Sequence, residues 1–312
     1  MPYQSPISPG RSWYEDTAGP RPEYKALDGD LRCDVVVVGG GFTGLSAAVH
    51  LARAGSNVVL IDAHRFGDGA SGRNGGQLGT GQRAWAEELA QLFEQTPATA
   101  IASVGGKVRV TTPKGTISAG KCLIGVNAHG GTLEPISAAH IMPIGSFIGA
   151  TVPLADSSVL PGGEAVDDSR FVVRYFRKST DGRLLFGGRE IYAVSDPKDI
   201  HVHIRRQIAE LYPDLRDVEI THGWGGYVGI TMPRKPFVRE VMPNVISVGG
   251  YSGHGVMLSN FFGKLYAETV AGNRDRLRLI EDLNIPAFPG GRRLRAPLLF
   301  LALNWYALRD RI

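Results

Sequence analysis

The chain has 312 residues, with 34 Lys and Arg against 30 Asp and Glu, 43% hydrophobic residues, 41 glycines and two cysteines. That apolar share supplies a core and excludes disorder for most of the chain. The glycine content exceeds the usual share of about 7% but lacks the triplet period of collagen. The net charge of +4 is carried by the arginine-rich residues 292–312. The body is therefore balanced and lacks the basic stripe of a nucleic-acid binder. Cys33 and Cys122 lie in separate apolar runs and read as buried thiols, not as a disulfide or zinc ligands. No apolar run approaches the roughly 20 residues of a transmembrane segment, and no signal peptide opens the chain. A reducing, cytoplasmic setting is the expectation.

In chain order, residues 1–30 read as an extended lead-in anchored by Trp13 and Tyr14. The β-branched run Asp34 to Val38 predicts a strand buried on both faces. A helix follows from Phe42 to about Ala54, with Leu45, Ala48, Val49 and Ala52 on one stripe and Gly55 as its stop. Val58 to Ile61 is the next strand, closed by Asp62, which completes a βαβ unit. Residues 64–82 form a polar glycine-rich loop, and Ala84 to Phe93 is predicted helical. From Thr99 to Val126 short alternating strands turn at Gly105-Gly106 and Lys114-Gly115, an antiparallel meander. Residues 141–150 and 171–187 are strands, the latter a hairpin through Ser179 to Gly182. A helix is predicted behind Pro197 as far as Tyr212, strands over 218–249, a helix over Gly255 to Val270, and a short amphipathic helix over Pro297 to Leu308.

Gly39-x-Gly41-x-x-Gly44 stands between a strand and a helix, and an acidic residue ends the next strand. That context makes it a dinucleotide fingerprint. Gly39 permits the turn, Gly41 admits a pyrophosphate, and Gly44 lets helix and strand pack closely. The helix start, with Phe42 and Thr43, offers N–H groups to the phosphates. Asp62, followed by Ala63, can accept from ribose hydroxyls. The loop Gly69 to Gln77 is richer in glycine than a turn needs, and Gly249 to Gly255 again joins a strand to a helix. Three such elements suit an extended cofactor, FAD, better than NAD. A helix start at the second site would favour negative charge on a reduced flavin.

The segments DVVVVGGGFTGLSAAVHLARAG, DGASGRNGGQ, GWGGYVGITMPRKPFV and ISVGGYSGHGV resemble the D-amino-acid-oxidase superfamily of FAD-dependent oxidoreductases, and within it the γ-glutamylputrescine oxidase-like group. The resemblance implies an α/β fold: a Rossmann-like FAD-binding domain, parallel sheet plus antiparallel meander, beside a reduced antiparallel-sheet substrate domain. It divides the chain into a lead-in (1–30), the first part of the FAD domain (31–142), a partial substrate domain (143–218), a return to the FAD domain (219–272) and a tail (273–312). It implies that Gly39, Gly41 and Gly44 hold the pyrophosphate and Asp62 the ribose. Ser71, Arg73, Asn74, Gly75 and Gly76 would line the flavin and ribityl chain, and Ala98 would meet the adenine. Asn127 and Ala128 would lie beside the cofactor, and Gly253, His254, Gly255 and Val256 at the pyrimidine edge. The implied reaction is oxidation of an amine or amino-acid C–N bond by hydride transfer to non-covalently bound FAD. Oxygen would be the acceptor, giving peroxide, and the imine would hydrolyse. One departure is large. Trp85 to Leu89 runs straight into Gln91, where family members carry a further segment on the order of a hundred residues, comparable to a small domain. The junction falls near 89–92.

Tyr251, His254 and Arg189 are the catalytic candidates, with Tyr175, Tyr192, Trp224 and Tyr227 as further substrate-facing residues. Arg189 could pair with a substrate carboxylate. His201 and His203 diverge by roughly 200° on a helix, so no metal site is expected there or elsewhere. An FAD-binding remnant without activity and an NAD-dependent dehydrogenase are the alternative readings.

Overall fold

The computed structural model describes residues 5–76, 90–154, 158–168, 173–188 and 197–291. Two sheets carry the fold. The first has β1 (Leu31–Val38) at its centre, parallel to β2 (Val58–Ile61) on one side and to β6 (Gly115–Ile124) on the other. β3 (Gln91–Phe93) extends it beyond β2 in parallel, and β13 (Val245–Gly249) and β12 (Phe237–Met242) extend it beyond β6. β4 (Ala100–Val104) and β5 (Lys107–Thr112) form the expected meander into β6.

The valines of β1 explain its central place. Val35 and Val37 enter the core beneath α2 (Phe42–Arg53) and α5 (Gly255–Val270), together with Ala47, Leu51, Phe262 and Tyr266. Val36 and Val38 enter the opposite core with Val110, Ile117 and Ile124. A strand covered on both faces has no polar side to show, so it reads as a continuous apolar run. α2 and α5 cross closely at Gly263, where a methyl would sit 2.7 Å from Ala47 N and from Thr43 O.

The second sheet is antiparallel, in the order β11 (Ile220–Ile230), β7 (Met142–Pro153), β10 (Arg183–Gly188), β9 (Arg174–Lys178), β8 (Ala165–Asp167). α4 (Ile200–Leu211) buries Ile204 and Ile208 against Phe147, Phe176 and Phe186 on one face. The lead-in covers Trp224, Ile148 and Leu185 on the other. β11 pairs with β7 along its length, so the chain returns to the first sheet at β12. α3 (Pro135–His140) and α6 (Asp275–Glu281) complete the described elements.

Three expectations need correction. Gln91–Phe93 is a strand and not the end of a helix. The free edge of β2 accepts it, and its residues alternate faces, Leu92 into the first core and Phe93 into the second. The residues before it, through 89, lie outside the described ones. The lead-in is not wholly extended: α1 (Trp13–Thr17) forms because Ser12 accepts from Tyr14 N–H and Glu15 N–H while Glu15 accepts from Ser12 N–H, a capping box. α4 starts at Ile200, not behind Pro197, because the Asp199 side chain caps it by accepting from Val202 N–H at 3.0 Å. The predicted helix over Pro297 to Leu308 lies outside the described residues.

Candidate cofactor site

A cavity of about 570 Å³ opens where β1 and β2 end and runs to β11 of the second sheet. In an open α/β sheet this is the crevice in which ligands bind, beside the central strand whose neighbours on its two sides come from different parts of the chain. Its floor is the turn from β1 into α2. Gly39 has φ +109°, and a side chain there would press within 3.0 Å of the Gly125 carbonyl. Gly41 is the N-cap of α2, and a methyl on it would lie 2.9 Å from Ser71 Oγ. At Gly44 a methyl would run into the Gly39 carbonyl oxygen. The first two keep the backbone open to the cavity, and the third lets α2 settle on β1. Phe42 N–H donates to Ser71 Oγ at 2.9 Å, which ties the 69–76 loop to the start of α2. Gly39, Gly41, Phe42 and Thr43 line the cavity; Gly44 lies beneath it.

Asp62 and Ala63, at the end of β2, lie on the wall. The Asp62 carboxylate accepts from Gly40 N–H at 2.6 Å and from His64 N–H at 2.8 Å, so it also fixes the turn. Burial raises its pKa, and these two hydrogen bonds pull it back down. Ala98 lines the cavity between Thr96 and Thr99. Asn127, with φ +46°, lines it from the end of β6, and its Oδ1 accepts from Gly250 N–H at 2.8 Å. A side chain at Gly229 would overlap that amide, so β11, β6 and the β13–α5 turn meet at Asn127.

The remaining expected residues divide. Ser71 and Asn74 are on the wall, with Asn74 Nδ2 donating to Ser71 O at 2.8 Å. Arg73, Gly75 and Gly76 face away from it. The buried Arg73 guanidinium donates to Gly225 O at 2.7 Å, Gly10 O at 2.6 Å and Pro9 O at 3.1 Å, and pairs with Glu15 at 3.2 Å. Gly75 O accepts from Arg177 Nε at 2.6 Å, and a methyl on Gly76 would lie 2.8 Å from Arg177 Nη2. Ala128 lines a small adjoining void. Gly253, Gly255 and Val256 bring the first turn of α5 to the cavity, whereas His254, its N-cap, is exposed and not among the lining residues.

Tyr251 lines the cavity but its hydroxyl points to Thr43 Oγ1, 2.6 Å away, and burial pushes its pKa far up. The hydroxyl braces α2 against the turn that leads into α5. Tyr227 is on the wall. Trp224 is fully buried and donates to Arg73 O at 3.0 Å, and the Tyr175 hydroxyl meets Ser146 Oγ at 3.0 Å away from the cavity. Arg189 and Tyr192 lie outside the described residues. No metal-ligating cluster occurs among the described residues.

Ile7, His64 and His129 are among the wall residues that sequence reasoning missed. Ile7 arrives from the lead-in, and His64 and His129 bring imidazole side chains to the lining. His64 follows Asp62 and Ala63, and His129 follows Asn127 and Ala128, so continuing each motif a residue further would have found both.

The chain matches the family described as DAO, FAD dependent oxidoreductase, over residues 34–92 and 82–269. It belongs to this family. The probable oxidoreductase OrdL of Rhizobium meliloti is 47% identical over 427 aligned positions that cover 100% of both chains. The gamma-glutamylputrescine oxidoreductase of Escherichia coli is 28% identical, over 96% of this chain and 98% of that one. Among solved structures, glycine oxidase from Bacillus cereus superposes with a TM-score of 0.65 at 15% identity, over 81% of this chain and 99% of that one, which shows the DAO fold. The chain is shorter than its DAO relatives, 312 against about 427 residues. Because the OrdL alignment covers both chains end to end, the difference is internal. The two matched stretches meet at residues 82–92.

As a DAO-family FAD-dependent oxidoreductase, the protein needs a cradle for a dinucleotide. The residues present fit one: backbone kept bare at Gly39 and Gly41, a helix start facing the cavity, and a carboxylate at the end of β2. No helix among the described residues is long and apolar enough to cross a membrane.

Proposed function

We propose that the protein holds FAD without a covalent bond and oxidises the C–N bond of an amine or amino acid, in the manner of the γ-glutamylputrescine-oxidising relative. The observation that carries this reading is the single cavity joining the turn at Gly39–Thr43 to the Tyr227 and Tyr251 wall. Gly39, Gly41, Phe42, Thr43 and Gly44 would receive the pyrophosphate, Asp62 and Ala63 the ribose, and Ala98 the adenine. Ser71, Asn74, Asn127 and Ala128 would flank the middle of the cofactor, and Gly253, His254, Gly255 and Val256 its flavin end. FAD supplies the two-electron acceptor, with oxygen as the final oxidant. The protein positions the substrate carbon, excludes water and fixes local polarity. The start of α5 favours negative charge at the flavin end. Tyr227 bounds the substrate space, and Arg189 would pair with a substrate carboxylate. Arg73, Gly75 and Gly76 act from behind the wall by holding the lead-in and β9 in place.

Anaerobic mixing of the flavin-loaded protein with γ-glutamylputrescine and a panel of amines and amino acids tests the reading. Bleaching of the flavin band by one of them is the expected result. A yellow protein inert to all of them would favour the second reading, an FAD-binding remnant. What favours that one is the internal shortening relative to the family.

A further inference from the structure

The lead-in reaches the cavity, and two anchors hold it there. At one end Gly10 bridges to Trp224 of β11, and Gly225 N–H donates to Pro9 O at 2.8 Å. The approach is tight: a methyl on Gly10, at φ +74°, would run into the Gly223 carbonyl oxygen. The Arg73 guanidinium closes the same joint through the Pro9 and Gly10 carbonyls. At the other end the buried Ser5 hydroxyl donates to Asp68 O at 3.4 Å, just before Gly69 and Ala70 of the cofactor loop. Between the anchors the chain turns at Pro6-Ile7, and Ile7 N–H donates to Ser5 Oγ at 3.3 Å. Pro6 is exposed, whereas Ile7 is half-buried and lines the cavity.

In a βαβ dinucleotide site the glycine turn takes the pyrophosphate, and the acid ending the second strand takes the ribose. The ADP half of FAD is thereby assigned to the end of the cavity at Gly39–Thr43 and Asp62, which leaves the flavin half the end at β11. The lead-in is fastened at that second end. A methyl on Gly226 would lie 3.7 Å from Ala70 Cα, so β11 and the cofactor loop meet there, and Gly69, Ala70 and Tyr227 line the cavity beside the joint. We infer that Ile7 is a cofactor contact, packing its side chain against the flavin half of bound FAD. The lead-in is then a wall of the cofactor site, and Arg73 is the positioning residue that holds the wall in place. This rests on the FAD reading above. An aliphatic side chain suits the role, because covering the ring takes apolar surface of both partners out of water.

Two variants of the full chain test this. Ile7→Cys is treated with iodoacetamide with and without saturating FAD, and mass spectrometry follows alkylation of the peptide that carries residue 7. The native thiols give little background, since burial pushes the Cys33 pKa up to about 12 and Cys122 is fully buried. Alkylation without FAD and its loss at saturating FAD are the expected results. Ile7→Trp, loaded with FAD, is expected to show a visible flavin band shifted from that of the wild type, because an indole against the ring perturbs it. If Ile7→Trp does not fold, Ile7→Asn serves in its place, with a polar amide beside the ring shifting the band. Equal alkylation with and without FAD, a thiol that resists the reagent even in the free protein, or protection by FAD with an unshifted band overturns the inference while leaving FAD binding intact. A wild type that binds no FAD in equilibrium dialysis overturns the cofactor reading and this inference together.

Discussion

At Gly44 the site and the fold make the same demand. A methyl there meets the Gly39 carbonyl, so either α2 lifts from β1 or the turn that faces the phosphates deforms. Gly44→Ala is expected to cost about 1–3 kcal/mol in urea unfolding, in the range of an overpacked core, and to lose flavin absorbance on purification. Asp62→Ala removes the acceptor for Gly40 N–H and His64 N–H as well as the expected ribose contact. FAD affinity measured by dialysis should fall, and an unchanged Kd would count against the ribose role. Tyr251→Phe removes the hydroxyl facing Thr43, with a loss of about 1 kcal/mol in thermal unfolding. Because burial raises the tyrosine pKa, the pH–rate profile below the ordinary tyrosine range should stay as in the wild type. Gly39, Gly41 and Gly44 were legible in the sequence because a backbone turn dictates them locally. Ile7 was not, since only tertiary packing brings the lead-in to the cavity.

Among the elements, the lead-in depends most on a single side chain. Arg73 joins it to the cofactor loop and to β11, through Glu15, the carbonyls of Pro9 and Gly10, and that of Gly225. Gly225 N–H returns a bond to Pro9 O at 2.8 Å, and Tyr14 packs edge-on to Trp224. Arg73→Ala leaves these acceptors and the Glu15 charge without their partner, with an expected loss on the order of 3 kcal/mol. Limited proteolysis should then cut within residues 5–17 well before the rest of the chain; cleavage rates equal to wild type would show that the lead-in is held otherwise. The βαβ unit, the meander, the hairpin at Ser179–Gly182 and α5 could all be read from periodicity and turn residues. α1 escaped because five residues carry no periodic pattern, and only its capping box marks it. β3 escaped because three residues become a strand only when the edge of β2 is there to pair with them.

For the whole molecule, two sheets share one cavity, and the shortening of the chain relative to its family lies inside the sequence, where the two matched stretches meet at 82–92. The dinucleotide half keeps its parallel core, both faces of β1 covered and the fingerprint turn in place. The second sheet retains five described strands and a helix across one face. Retention of FAD is therefore the property the remaining structure supports most strongly, and turnover the one most exposed to the shortening. The direct test is to purify the full chain, record its visible spectrum, precipitate it with acid and assay flavin in the supernatant and the pellet. A yellow protein that releases about one FAD per chain into the supernatant is the predicted result. A colourless folded protein that takes up no added FAD, or flavin that stays with the precipitated chain, would contradict it.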